Sequence, residues 1–105
     1  NKASSNNTRG IFYGGRTPSM NDVIDYITIA TEGNATDFGN LSANRIDCSA
    51  VASSTRGVVA GGITPSAVNI IEYVTIATTG NATDFGDLTT ERSDGSGCSN
   101  GHGGL

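Results

Sequence analysis

The sequence predicts an all-β chain made of two copies of one four-stranded antiparallel unit, and three observations predict it. The chain repeats itself 47 residues apart: YITIATEGNATDFGNL from Tyr26 to Leu41 returns as YVTIATTGNATDFGDL from Tyr73 to Leu88. About 25 of the 43 positions from Thr8 to Ala50 match their partner, and periods of this size mark stacked or radial repeat architectures. Gly accounts for 15 of 105 residues and Ser, Thr and Asn are abundant, a composition suited to short strands and tight turns. Finally, each copy carries the same punctuation of apolar runs and breakers. A chain of this length makes one small domain at most.

The elements follow in order within each copy. Gly10 to Gly15 and Gly57 to Gly62 are short apolar runs closed by a double glycine, which predicts a buried strand and a turn or close backbone approach. A loop containing Pro18 or Pro65 comes next. Val23 to Thr31 and Ile70 to Thr78 are rich in Ile, Val, Tyr and Thr and read as second strands. They are apolar on both faces, so both faces require cover. Gly33-Asn34 and Gly80-Asn81 predict a turn with positive-φ residues. Ala35 to Leu41 and Ala82 to Leu88 form a third strand carrying Phe38 or Phe85. The fourth segment, Arg45 to Ala52, is small and alternating, and its Asp47 to Ala52 stretch suits the crowded innermost strand of a radial array. Four short strands in 47 residues, covered on both faces, describe a β-propeller blade. A β-sandwich or β-solenoid explains the period less well.

At this point the residues resemble a kelch repeat. Gly61-Gly62, Tyr73, Phe85 and Arg92 fill the family's positions in one copy, and Gly14-Gly15, Tyr26, Phe38 and Arg45 fill them in the other. The aromatic is Phe where kelch blades usually carry Trp, and Ile27 or Val74 follows the Tyr where the family often has Asp. The wording TRGVVAGG followed by YVTIATTGNATDFGDLT is also similar to repeats in structural proteins of tailed phages, marine cyanophages especially, which implies a virion or host-interaction protein.

The resemblance sets the phase, because the innermost kelch strand follows the Arg. Repeat 1 runs from about 8 to 54 and repeat 2 from about 55 to 101. Arg45 to Glu91 then makes one complete blade, residues 8–44 supply three outer strands, and about 92–100 supplies a lone inner strand. Two blades cannot close a ring. The expectation is therefore a homotrimer of six blades with head-to-tail interfaces, each chain giving its C-terminal inner strand to the next. The tail from His102 aligns with Thr55 and with Thr8, so fraying is expected at 1–5 or 101–105. The sequence opens on Asn1 and reads as a processed chain, an excised piece of a longer repeat protein, or a chain built to assemble.

Function classes narrow by exclusion. A net charge of −4 with only 6 Lys and Arg leaves no basic stripe for nucleic acid or for an anionic membrane surface. No apolar run approaches the roughly 18 residues of a membrane span. Asp37-Phe38-Gly39 and Asp84-Phe85-Gly86 spell the kinase magnesium motif without its partner Lys or catalytic loop, so they read as packing. Asn6, Asn34, Asn40 and Asn81 head accidental glycosylation patterns. His102 is a lone histidine without a second metal ligand, and Cys48 and Cys98 read as two small buried thiols. No acid–base pair, nucleophile set or cofactor loop is present, so an enzyme is not expected and no cofactor is implied.

The expected role is a structural or assembly module that partners itself. The alternative is a propeller that reads a glycan or peptide through several equal pockets. Arg45, Asp47, Arg92 and Asp94 open the expected inner strands and would form Arg–Asp pairs between neighbouring blades. Together with Arg16, Asn21, Asp22 and Asn69 on the adjoining loops, they make the candidate ligand or partner face.

Overall fold

In a computed structural model the described residues are 2–16, 19–64, 66–93, 95 and 98, and they form two four-stranded antiparallel sheets. The first runs β1 (Lys2–Ser5), β2 (Arg9–Arg16), β3 (Met20–Thr28) and β4 (Thr36–Asn40), each strand paired to the next in chain order. The second repeats that order with β5 (Ser49–Ala52), β6 (Arg56–Ala60), β7 (Val68–Thr75) and β8 (Thr83–Arg92). Among the described residues no helix occurs, as the β-branched runs and glycine breaks require.

The two sheets share their register in detail. Ile11 lies opposite Tyr26 as Val58 lies opposite Tyr73, and Phe12 opposite Asp25 as Val59 lies opposite Glu72. A bulge between Ile24 and Asp25 recurs between Ile71 and Glu72. Beside each bulge Phe38 or Phe85 lies edge-on to the Tyr of the neighbouring strand, with ring centroids 5.7 Å and 6.1 Å apart. The double glycines do need their freedom: φ is 56° and 108° at Gly14 and Gly15, and 69° and 103° at Gly61 and Gly62.

Four expectations are corrected. The first sheet does not lack its inner strand, because Lys2–Ser5 pairs with Tyr13 through Gly10 and supplies it. These residues stand one repeat before Ser49–Ala52, and pairing them removes an open edge. Lys2–Ser5 therefore form a strand rather than a fray, while Asn1 and 101–105 lie outside the described residues. The inner strand is also shorter than Arg45 to Ala52; residues before Ser49 contribute only the isolated bridge from Ile46 to Ile63. Gly33, Asn34, Gly80 and Asn81 do not take positive φ. The chain leaves β3 and β7 earlier, by turns at Ile29-Ala30 and Ile76-Ala77, which frees Gly80 to Ala82 for pairing elsewhere. Lastly, Cys48 is buried but Cys98 is exposed.

The sheets stack face to face, and their core is Ile11, Tyr13, Ile24, Phe38, Leu41, Cys48, Val59, Val74 and Ile76. Tyr13 is its largest aromatic. Its hydroxyl meets Ser4 Oγ at 2.8 Å and sits where a Cβ on Gly57 would be, so Gly57 must lack a side chain. Burial pushes the Tyr13 phenol up from 10.0 to about 12; the Ser4 hydrogen bond pulls it down and the nearby Cys48 thiol adds to the rise. The folded value exceeds the unfolded one, so this phenol's contribution is intact below pH 10 and is lost as pH climbs from 10 toward 12. Between pH 9.5 and 11.5 the unfolding free energy from urea denaturation should fall further in the wild type than in Tyr13→Phe, by a difference on the order of 2 kcal/mol. Equal falls would show that Tyr13 does not titrate with unfolding.

Candidate functional site

The alternating pattern gives each sheet two unlike faces. In the first sheet Ile11, Tyr13, Ile24, Tyr26 and Phe38 point one way, while Gly10, Phe12, Asp25 and Ile27 point the other. The first of these faces meets the second sheet. What it meets there is the opposite kind of face, carrying Gly57, Val59, Glu72, Val74 and Ile76.

Three devices fix this junction. Glu72, buried, accepts from the buried Arg45 guanidinium through one oxygen and from the Ser42 backbone N–H at 2.9 Å through the other. Arg45 keeps its Nε and Nη1 without a protein acceptor, so Glu72 is the neutralising partner of a guanidinium drawn wholly into the junction. Then β4 extends across the gap as if toward another strand. Gly80 N–H donates to Phe38 O at 2.8 Å, Ala82 N–H to Asn40 O at 2.9 Å, and Asn40 N–H to Asn81 Oδ1 at 3.0 Å. The two segments come so close here that a Cβ on Gly39 would land on the Gly80 carbonyl. Arg9, stacked 4.2 Å over the Tyr26 ring, donates from Nη1 to Ile76 O at 2.8 Å.

Each outer face is a repeat copy of a buried inner one. Phe38 is 3% exposed in the junction, but its copy Phe85 is 53% exposed on the outside. Ile76 is fully buried, and its copy Ile29 is 53% exposed. Val59 is buried while Phe12 is exposed, and Arg45 is buried while Arg92 is exposed. One face of the molecule thus exposes the repeat copy of the first half of the junction, and another exposes the copy of the second half.

The residues marked from sequence fall around this junction unevenly. Arg45 is at its centre, though it pairs with Glu72 and not with Asp47. The reason is conformational: Asp47 is the described non-glycine residue with positive φ, 57°, and sits half-buried at the turn into β5. Asn21 and Asp22 support Arg45 through their backbones, Asn21 O accepting from Arg45 N–H and Asp22 O from Leu41 N–H. Arg16 ends β2 and is exposed, and Asn69 is half-buried in β7. Arg92 ends β8 rather than opening an inner strand, and Asp94 lies outside the described residues, as does His102.

Sequence reasoning missed Glu72, Asp25, Arg9 and the Tyr13–Gly57 contact. The signal for the acids was present: Asp25 and Glu72 are matching carboxylates in the middle of otherwise apolar strands. Such a residue is either paired or costly.

No protein-family model matches the chain, and no curated protein matches it. Among the described residues no group of three or more His, Cys, Asp or Glu could hold a metal ion. The repeat also makes two equivalent clefts, about 290 Å³ beside Tyr73, Thr78 and Asn81, and about 230 Å³ beside Tyr26, Thr31 and Asn34.

Proposed function

We propose that this chain is a non-enzymatic assembly module whose two sheets are kelch-like propeller blades, three chains closing a six-bladed ring. The observation that carries the reading is the exposure, on two faces of one molecule, of repeat copies of both halves of the buried sheet–sheet junction. Such a surface is heterologous, so it either closes into a ring or grows without end. Six blades suit a kelch-like radial stack, and each chain supplies two. Burying a side chain such as Phe12, Ile29 or Phe85 contributes about 1.5–3 kcal/mol, and the ring covers all three in every subunit.

Two strands could fill the inner place of the first blade: β1, or residues 96–99 of the preceding subunit. The latter is the strand exchange that the repeat phase implies. β1 is the better strand former, since Ala3 and Ser4 stand where the other copy has Gly97 and Cys98. A phage virion is the setting we propose, on the likeness of the repeat wording alone.

A second reading is favoured by the paired clefts. Each is lined by Tyr, Thr, Gly and Asn, side chains that hydrogen-bond sugar or peptide groups, and a ring would present six of them. In this reading the module grips a glycan or peptide after assembling.

Light scattering after size exclusion tests the first reading. A mass of three chains is expected. A folded species of one chain's mass, unchanged with concentration, would overturn it.

A further inference from the structure

We infer that Arg92 of one subunit pairs with Asp25 of the next, forming the intermolecular counterpart of the Arg45–Glu72 junction, and that Phe12 of the next subunit seats over Ala60. The inference rests on the ring reading above and assigns its contacts and direction.

Arg92 is already set for the role. Gly62 N–H donates to Arg92 O at 2.9 Å, as Gly15 N–H donates to Arg45 O at 2.9 Å. A Cβ on Gly61 would lie 3.4 Å from Leu88, and one on Gly14 would lie 3.4 Å from Leu41. The backbone around Arg92 therefore occupies the same local setting as that around Arg45. What differs is the guanidinium, buried against Glu72 in one case and exposed in the other. Asp25 completes the match from the other end. It follows the same bulge as Glu72, faces the same side of its sheet, and lies opposite Phe12 as Glu72 lies opposite Val59. One repeat forward from Arg45–Glu72, the partners are Arg92 and an Asp25 that only a second copy can bring.

The apolar residues carry a compensating exchange. In the internal junction Tyr13 projects over Gly57 beside Val59. The repeat copies are Ala60 on one outer face, and Gly10 and Phe12 on the other. Tyr13 and Val59 inside become Ala60 and Phe12 outside, one position losing a ring as the other gains one beside an unchanged glycine, which nearly conserves the volume to be filled. Chance drift at two positions of a merely solvent-facing surface has no reason to balance this way. The swap also discriminates: an outer face carrying Phe12 fits Ala60 but not Tyr13, so the intermolecular junction does not displace the internal one.

The test is a charge exchange read by light scattering, with circular dichroism confirming that each protomer is folded. Asp25→Arg alone and Arg92→Asp alone should each fall to the mass of one chain. The double variant Asp25→Arg/Arg92→Asp should regain the ring. The milder Asp25→Asn should weaken association at least about ten-fold, the loss of a charge-assisted contact. If the wild type forms a ring and both single variants keep it, the ring stands and this pairing is wrong. A double variant no better than the singles would also overturn the pairing. A wild type of one chain's mass overturns both the pairing and the ring.

Discussion

Replacing Glu72 by Ala should remove most of the stability of the fold. The carboxylate is the acceptor for a guanidinium that has no access to water, and it also satisfies the Ser42 N–H. Without it Arg45 is a buried, unpaired charge. Breaking such a pair from one side costs about 3–5 kcal/mol, against a total of roughly 5–15 kcal/mol for a domain of this size. We expect a loss in that range from urea denaturation, with a comparable loss for Arg45→Ala, which strands the carboxylate instead. The double variant Arg45→Met/Glu72→Leu should recover much of the deficit, since an apolar pair of similar volume needs no desolvated charges. If Glu72→Ala costs less than about 1 kcal/mol, the pair is not what holds the two sheets in register.

That pair also shows how far the sequence could be read. The all-β class, the three strands from Arg9 to Asn40 and from Arg56 to Arg92, the strand Ser49–Ala52 and the double-glycine turns follow from periodicity and breakers, because strands and tight turns are local matters. Arg45 was expected to pair with an Asp of a neighbouring blade, whereas its partner in the structure is Glu72. Strand order alone did not point to that acid. A cross-sheet contact depends on which faces meet, and Glu72 reaches Arg45 only because β7 lies across from the end of β4. The first sheet's inner strand was missed for a different reason. KASS carries little hydrophobic signal, and its identity shows only when Lys2–Ser5 is set one repeat before Ser49–Ala52. The turn assigned to Gly33-Asn34 and Gly80-Asn81 falls earlier, at Ile29-Ala30 and Ile76-Ala77, which in the second copy leaves Gly80 to donate to β4. Only the stacked sheets reveal that demand.

The second large effect concerns Gly39. A methyl group there would collide with the backbone carbonyl of Gly80, and backbone cannot swing aside as a side chain can. The collision would break the Gly80–Phe38 and Ala82–Asn40 hydrogen bonds and pry β4 from its neighbour. Gly39→Ala should therefore destabilise by roughly 2–4 kcal/mol, the sum of overpacking and an unfavourable φ of 157°. Gly86 is a matched control: its φ is 155°, yet a Cβ there meets nothing within 4 Å in the single chain. Gly86→Ala should carry only the conformational part, on the order of 1 kcal/mol, and leave the protomer folded. In the proposed ring, however, Gly86 would meet Gly33 of the next subunit as Gly39 meets Gly80. Its substitution should then act on assembly where that of Gly39 acts on folding.

The measurement that bears most directly on the central claim is the light-scattering mass of Gly86→Ala beside that of the wild type. The account predicts three chain masses for the wild type and one, still folded, for the variant. A wild type with the mass of a single chain, or a variant that assembles as well as the wild type, would contradict it.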